Sequence, residues 1–400
     1  MDTSILPPSY SLAAPSPSYS PDPAEDEQRL IYQRASNHAS SLTGIYVRKE
    51  DKVTVILENQ KEGTQQPEYG RRSVISGTVL LHDPKTITEV KVQLKGSVEI
   101  LTLSQGFVQK DLCDDSYVLW AKDSEAECPS SLSLSCAIPS TYQYGQDHCP
   151  LPPSYDVQLF SENIQYVKVA YFLSVFITKT RKGPTALLLG KNQQRLHILI
   201  KYRPRSRPPR PVPYDRSFLS TIKVFIYPMQ VFLPSVGVYE MTEAIPYHLQ
   251  LIGSSATLSR LCSLDKSIST FIAAIHTTAY FPILDNPPVA LRLSRQLVLY
   301  INGKPVAVNF HLGEAKMCSP PPIQDGRHPE DNVAFNLEGE VKVDIENLTV
   351  PSLESGIIAI RDFISLELSK STQVLFQPLK HIQVVKLVTD PWSDTPNPFG

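Results

Sequence analysis

The sequence predicts an all-β chain of two β-sandwich domains in tandem, preceded by a disordered N-terminal tail. Three observations predict this fold class. Short segments with an apolar residue at every second position recur along the chain, as in Val90, Val92 and Leu94, and this pattern indicates strands with one buried face. No long amphipathic helical pattern interrupts them. Proline accounts for 35 of the 400 residues and glycine for only 17, a composition typical of many turns and stiff connectors.

The N-terminal segment, residues 1–43, has the composition of a disordered tail. Six prolines precede Ala24, serine and tyrosine are frequent, and a short acidic run follows at Glu25–Glu27. Because aliphatic residues are sparse, the segment cannot bury enough apolar surface to offset the entropy of ordering. We expect residues 1–43 to be disordered.

Residues 44–203 carry the first series of predicted strands. Val53, Val55 and Leu57 follow the alternating pattern, and turn signals such as Pro67–Gly70 separate the strands. Turns at this spacing are typical of a sandwich of immunoglobulin-like type. The predicted strands are 53–57, 90–94, 117–120, 164–177 and 196–202.

A proline- and arginine-rich stretch separates the two domains. Residues 203–216 contain five prolines and five arginines, and prolines at this density cannot pair into the interior of a sheet. We expect a stiff, solvated linker over 204–216. Two alternatives stay open: Arg205, Pro208 and Pro211 have the spacing of an SH3 ligand, and the arginines could meet anionic lipid headgroups.

The strand pattern resumes over residues 217–389, which predicts a second sandwich of similar size. A polar loop with three consecutive prolines interrupts it at 318–332, and residues 390–400 form a short C-terminal tail. The predicted strands are 222–227, 247–252, 289–301, 306–310, 334–345, 364–368 and 379–388.

Composition excludes several classes of protein. The 38 basic and 40 acidic residues leave a net charge of −2, too weak a field to hold nucleic acid by counterion release. The apolar runs are too short for a membrane-spanning helix, and Met1–Tyr10 has no pattern of a secretory signal. We therefore expect a cytoplasmic protein whose six cysteines stay reduced.

Signatures of catalysis are missing from the sequence. There is no Gly-x-Ser-x-Gly elbow and no phosphate-binding loop, and the nine histidines are dispersed, without the spacing of a metal site. We expect a protein that is not an enzyme and needs no cofactor. A Cys/His hydrolase assembled in three dimensions within the first domain stays open as an alternative from a different class.

The first domain contains a particular succession of segments. These are Val53–Leu57, then Pro67-Glu68-Tyr69-Gly70 before Val74–Val79, then Ile87–Gly96, and Leu151–Tyr155 leading into Ile164–Ile177. This succession resembles the N-domain of arrestins, and from Phe218 onward the chain resembles the arrestin C-domain by position and strand density. The resemblance implies the arrestin fold of two immunoglobulin-like sandwiches.

The tetrapeptide Pro7-Pro8-Ser9-Tyr10 is a PPxY motif within the predicted disordered tail. WW domains bind such motifs because the prolines are already held in polyproline II conformation, so little entropy is lost on binding. Pro7, Pro8 and Tyr10 are therefore our candidate WW-domain-binding residues. A chance match in a tail rich in these residues is the alternative. A near copy, Ser16-Pro17-Ser18-Tyr19, lacks the first proline.

A second PPxY motif, Pro152-Pro153-Ser154-Tyr155, directly precedes a predicted strand of the first domain. A folded backbone cannot present polyproline II to a WW groove without local opening. We therefore expect Pro152, Pro153 and Tyr155 to have a structural role, with WW binding as the alternative.

The C-terminal tail carries two tripeptides that resemble endocytic motifs. Asp390-Pro391-Trp392 resembles the peptide that binds clathrin-adaptor appendage domains, and Asn397-Pro398-Phe399 resembles the turn bound by EH domains. In each, an aromatic residue stands beside a proline-fixed turn that an Asp or Asn side chain can close. Chance matches in a polar tail, and packing of Trp392 on the second domain, are the alternatives.

The PPxY motifs point to the α-arrestin branch of the arrestin family. This resemblance implies a cytosolic adaptor that brings a HECT-type ubiquitin ligase, through its WW domains, to cytoplasmic segments of membrane transporters or receptors. The adaptor would be recruited peripherally to the plasma membrane or endosomes, and the cargo would be ubiquitinated and internalised by endocytosis. The alternative is an arrestin-fold trafficking scaffold that recruits no ligase.

Overall fold

The computed structural model describes residues 44–122, 127–159, 161, 163–180, 192–211, 221–226, 229–254, 289–319, 332–343, 348, 350–368 and 380–392. The chain divides into the units Met1–Leu42 and Thr43–Gly400, and every described residue belongs to the second. The predicted disordered tail and most of the predicted loop at 318–332 lie outside the described residues.

Strands dominate the described residues, which confirms the all-β fold class. The regular elements other than strands comprise one 3-10 turn, Pro84–Thr86, within the described ranges. The strands are β1 Gly44–Glu50, β2 Val53–Gln60, β3 Glu68–Tyr69, β4 Val74–Leu81, β5 Ile87–Thr102, β6 Gly106–Ala121, β7 Ser131–Ala137, β8 Thr141–Tyr144, β9 Asp147–Pro150, β10 Tyr155–Gln158, β11 Ile164–Lys179, β12 Asn192–Tyr202, β13 Thr221–Ile226, β14 Met229–Pro234, β15 Val238–Glu240, β16 Ile245–Ser254, β17 Val289–Ile301, β18 Lys304–Ser319, β19 Asn332–Val341, β20 Leu353–Ser355, β21 Ile358–Leu368 and β22 Lys380–Val388.

The first twelve strands form two main sheets and a separate hairpin. One sheet has the order β1-β2-β4-β7, and the other has the order β3-β12-β11-β5-β6 with β10 added to β11. Alternate residues of β2 and β5, such as Val55 and Val92, are fully buried, because a pleated strand directs every second side chain into the core. The strands β8 and β9 pair with each other in the hairpin.

The strands β13 to β22 form one continuous sheet, in the order β13-β14-β16-β19-β18-β17-β21-β22-β15, with β20 added to β21. The strand β18 makes this continuity possible. It pairs with β17 up to Glu314 and with β19 from Ala315 to Ser319. Apolar side chains from both flanks, including Leu249 and Leu366, meet in one core cluster.

The two groups of strands share apolar packing although no described sheet mixes them. The larger core cluster contains residues of the first two sheets together with Leu297, Leu299, Ile357 and Ile360 from β17, β21 and the turn before β21. Burial of these side chains joins the two parts of the chain over a continuous apolar contact.

The described part of the predicted linker, residues 204–211, forms no strand and is only partly exposed. Pro204 and Pro208 are buried, and the Ser206 amide donates to the Thr389 hydroxyl at 2.8 Å. Arg205 and residues 209–211 are exposed, so only part of this stretch departs from the expected solvated connector. Its backbone polar groups find partners at the end of β22, which offsets the cost of removing them from water.

Candidate interaction sites

Two of the predicted motifs lie outside the described residues. These are Pro7-Pro8-Ser9-Tyr10 and Asn397-Pro398-Phe399, and the near copy at Ser16–Tyr19 lies outside as well. Their use by partners stays a prediction from the sequence.

The inner motif, Pro152-Pro153-Ser154-Tyr155, is built into the first sandwich. Its two prolines and its tyrosine are buried. The Tyr171 hydroxyl donates to the Pro152 carbonyl at 2.6 Å, the Ser154 amide donates to the Tyr202 carbonyl at 2.8 Å, and Tyr155 pairs with Val169 of β11. A WW groove binds exposed polyproline II. This motif can therefore reach such a groove only after local unfolding.

Burial and two charges from the second group of strands determine the ionisation of Tyr155. Burial raises the pKa of the phenol to about 12, while Arg295 acts to lower it and Asp362 acts to raise it. The hydroxyl is therefore protonated at neutral pH. Through these electrostatic interactions, the inner tetrapeptide is linked to strands more than a hundred residues further along the chain.

Arg295 of β17 and Asp362 of β21 form a buried, two-pronged ion pair. Their side chains are 2% and 0% exposed, the Nε–Oδ1 distance is 2.7 Å and the Nη2–Oδ2 distance is 2.9 Å. Arg295 Nη1 also donates to the Val350 carbonyl at 2.7 Å, and the Ser352 hydroxyl donates to Asp362 Oδ2 at 2.6 Å. Buried charges persist only where partners of this kind replace water.

Sequence reasoning missed this ion pair although the pattern contains its signal. In β17 the buried positions alternate, and Arg295 falls on the same face as Leu293 and Leu297. In β21 Asp362 likewise falls on the face of Ile364. A charged residue at a core-facing position of a strand predicts an opposite charge beside it.

The hairpin of β8 and β9 joins the first group of strands to the turn between β20 and β21. The Tyr142 hydroxyl donates to the Ser355 carbonyl at 2.6 Å and accepts a hydrogen bond from the Ile357 amide at 3.1 Å. The Ser355 hydroxyl donates to the Pro150 carbonyl at 2.5 Å, and the Tyr144 hydroxyl donates to the Tyr300 carbonyl at 2.8 Å. We call these contacts the hairpin junction.

The tripeptide Asp390-Pro391-Trp392 begins immediately after β22 and contacts the linker. Arg205 Nε donates to Asp390 Oδ1 at 3.0 Å and to Oδ2 at 3.2 Å, and Arg205 Nη2 also bonds Oδ1. The Asp390 amide donates to the Ser206 carbonyl at 3.0 Å. Pro391 is exposed and Trp392 is half-buried. The acidic residue of the motif is thus already bound within the molecule.

The ionisation of Asp390 reflects the same contacts. Burial acts to raise the pKa of its carboxyl, but the hydrogen bonds from Arg205 and Thr389 outweigh burial and lower the pKa below its usual value.

The contact between Arg205 and Asp390 also affects the SH3-ligand alternative for Arg205, Pro208 and Pro211. Arg205 is paired with Asp390 and Pro208 is buried, so the described conformation does not offer this sequence to an SH3 groove.

Within the described residues of the first sandwich, Ser174 and His197 bring a hydroxyl and an imidazole into contact. Ser174 Oγ lies 2.9 Å from His197 Nδ1. Ser174 is 1% exposed and lies mid-strand, with β5 and β12 paired on its two sides. A substrate carbonyl would have no free backbone amides to stabilise its oxyanion there. The contact fits a structural hydrogen bond between neighbouring strands.

Among the described residues, no cluster of three or more His, Cys, Asp or Glu side chains could hold a metal ion. None of the helical segments in the described ranges is long and apolar enough to cross a membrane. Cys113, Cys128, Cys136 and Cys149 are free thiols.

No protein-family model matches this chain, and no curated protein matches it.

Proposed function

We propose that this protein is an arrestin-like adaptor that links membrane-protein cargo to a WW-domain ubiquitin ligase, leading to ubiquitination and endocytosis of the cargo. The proposal depends on the resemblance of the first domain to arrestins and on the PPxY motif at Pro7-Pro8-Ser9-Tyr10. The all-β fold is consistent with it. Binding rather than catalysis is the proposed mechanism.

The burial of the inner PPxY motif is the observation that carries the assignment of a ligase site. Because Pro152, Pro153 and Tyr155 are buried within the first sandwich, a WW domain would have to unfold part of the sheet to bind them. The remaining PPxY, with Pro7, Pro8 and Tyr10, precedes β1 by more than thirty residues. The burial of the inner motif therefore supports Tyr10 as the ligase site of this proposal.

Cargo binding is assigned to the outer face of the six-stranded sheet. This face carries apolar and basic side chains side by side: Val118 and Leu199 are 58% and 45% exposed, and the Arg195 guanidinium lies 4.9 Å from the centroid of the Phe176 ring. Exposed apolar side chains beside polar ones mark surfaces that bind other proteins. A cytoplasmic segment of a membrane protein with apolar and acidic residues fits this chemistry.

The proposal is tested by cargo turnover in cells that express the full chain. Surface proteins are labelled and followed over time in cells with the unaltered chain and in cells with Tyr10→Ala. The adaptor account expects a set of surface proteins that disappears more slowly with Tyr10→Ala. Unchanged turnover would favour the second candidate, a trafficking scaffold that recruits no ligase, for which the tripeptide Asp390–Trp392 would be the remaining link to coat proteins.

A further inference from the structure

We infer that the ion pair between Arg205 and Asp390 is a latch that holds the peptide Asp390-Pro391-Trp392 closed, so that a partner reading this peptide must first displace Arg205. The inference rests on the proposed function for the recruitment of a coat-adaptor domain by the tripeptide. Both residues of the latch, Arg205 and Asp390, belong to the part of the chain that the structure describes.

The geometry of the latch occupies both oxygens of the carboxylate. Arg205 Nε lies 3.0 Å from Oδ1 and 3.2 Å from Oδ2, and Nη2 also bonds Oδ1. The Thr389 hydroxyl donates to Oδ2 at 2.7 Å. Charge-assisted, two-pronged contacts of a guanidinium with a carboxylate are stronger and more directional than single hydrogen bonds. A partner that needs this carboxylate therefore competes with a contact already made.

Further hydrogen bonds hold the linker and the start of the C-terminal tail together around the ion pair. The Asp390 amide donates to the Ser206 carbonyl at 3.0 Å. The Thr389 hydroxyl accepts from the Ser206 amide at 2.8 Å and lies 3.1 Å from its carbonyl oxygen. Arg205 and Ser206 thus face the start of the tail, and Pro208 beyond them is buried.

Exposure makes the latch able to open. The Arg205 side chain is 54% exposed, whereas the Asp390 side chain is 14% exposed. Solvent can therefore reach and stabilise a released guanidinium, which limits the strength of such a pair. An ion pair of this kind biases a two-state equilibrium without locking it, and a partner's apparent affinity falls in proportion to the open fraction.

The two charged residues belong to the two linear motifs that the sequence places in these segments. Arg205 is the arginine of the SH3-like spacing with Pro208 and Pro211, and Asp390 is the acidic residue of the tripeptide. In the closed form each motif has its charged residue bound by the other. Opening would release both at once, so that the linker and the tail respond together.

The test uses the full chain with Arg205→Gln, which keeps the size and polarity of the side chain but removes its charge. Arg210→Gln is the matched control, since Arg210 contacts the Ser235 hydroxyl at 2.9 Å and, among the described residues, is not bonded to Asp390. The first measurement is amide hydrogen exchange over residues 387–392, where Pro391 contributes no amide. We expect exchange at Asp390 to be roughly three- to tenfold faster with Arg205→Gln and unchanged with Arg210→Gln.

The second measurement is binding of a purified clathrin-adaptor appendage domain to the same variants. We expect Arg205→Gln to bind roughly three- to tenfold more tightly than the unaltered chain, and Asp390→Asn to lose binding. The exchanged pair Arg205→Glu with Asp390→Arg should restore slow amide exchange without restoring appendage binding, which shows that the variants remain folded at the latch.

The outcomes separate the latch from the proposed function. Unchanged exchange at Asp390 with Arg205→Gln would overturn the latch, as would equal appendage affinity of Arg205→Gln and the unaltered chain when both bind. Faster exchange with no appendage binding by any variant would support the latch and contradict the recruitment role of the tripeptide.

Discussion

The hydroxyl of Tyr142 donates a 2.6 Å hydrogen bond to the carbonyl of Ser355, a residue 213 positions further along the chain. The same oxygen accepts a hydrogen bond from the Ile357 amide, so one phenol satisfies two backbone groups of the turn before β21. Because Tyr142 is buried, neither group can exchange this partner for water. The hairpin junction therefore joins the first and second groups of strands through hydrogen bonds as well as apolar packing.

The first prediction concerns the hydroxyl of Tyr142. Tyr142→Phe keeps the ring but leaves the Ile357 amide without its acceptor in a buried site, which costs about 1–3 kcal/mol. The free energy of unfolding, measured with urea, should fall by this amount. Tyr166→Phe is the control, because the Tyr166 hydroxyl bonds Glu99 at a half-buried position; an equal loss in both variants would contradict the special role of Tyr142.

The second prediction concerns Gly356, which lies in the turn contacted by Tyr142. Its φ is +61°, and an added Cβ would lie 2.8 Å from Cys149 Sγ and 3.0 Å from Tyr144 Cγ. Gly303 is the matched control, since its φ is +76° but no heavy atom lies within 4 Å of an added Cβ. Gly303→Ala should cost about 1 kcal/mol from backbone strain alone.

Gly356→Ala introduces the same backbone strain, and its added Cβ also overpacks the contact with Cys149 and Tyr144. We expect its free energy of unfolding to be lower than that of Gly303→Ala by at least about 1 kcal/mol. Combining Gly356→Ala with Cys149→Ala should recover part of this difference. Equal stability of the two alanine variants would show that the turn can move away from the hairpin without cost.

The third prediction concerns the buried ion pair of Arg295 and Asp362. Asp362→Asn leaves the Arg295 charge buried without its counterion, and such a change costs about 3–5 kcal/mol. Replacing both residues, with Arg295→Met and Asp362→Leu, removes both charges and should recover most of this loss. The single variants Arg295→Met and Asp362→Leu complete the cycle, and a double variant as unstable as the sum of these two, measured by urea unfolding, would contradict direct coupling between the residues.

The fourth prediction concerns the pH dependence of stability from Cys136. Burial first, and the charge of Asp115 second, raise the pKa of this thiol from 9.0 to about 11. A raised pKa in the folded state favours the neutral thiol, so this stabilisation is complete below pH 9 and is lost as the pH rises toward 11. The unaltered chain should therefore lose about 2–3 kcal/mol more than Cys136→Ala over this interval. Parallel curves of unfolding free energy against pH for the two proteins would refute the prediction.

The strands with one buried face were predictable from the sequence because alternation is a local property. Val289–Ile301 and Ile164–Ile177 are close to the observed β17 and β11. The strand β6 was predicted only over Tyr117–Trp120, although it extends over Gly106–Ala121. Most of its side chains are exposed or half-buried, so pairing with β5 rather than an apolar pattern determines its length.

From the sequence, the candidate sites could be predicted only as short motifs, without the contacts that those motifs make. The latch between Arg205 and Asp390 joins residues 185 positions apart, and no local pattern indicates that a linker arginine will meet a tail aspartate. The same holds for Tyr142 and Ser355, whose partners are backbone atoms. Arg295 and Asp362 differ, because a charge on the apolar face of a strand already indicates a buried partner.

The measurement that tests the central claim most directly is binding of the full chain to the WW domains of a HECT-type ubiquitin ligase. The variants are Tyr10→Ala, Tyr19→Ala as the matched control within the same tail, and Tyr155→Phe, which keeps the buried ring.

The adaptor account predicts that Tyr10→Ala weakens binding at least about tenfold, the loss expected when a motif's aromatic anchor is removed, while the other two variants bind like the unaltered chain. Binding that survives Tyr10→Ala, or no binding by the unaltered chain, would contradict it.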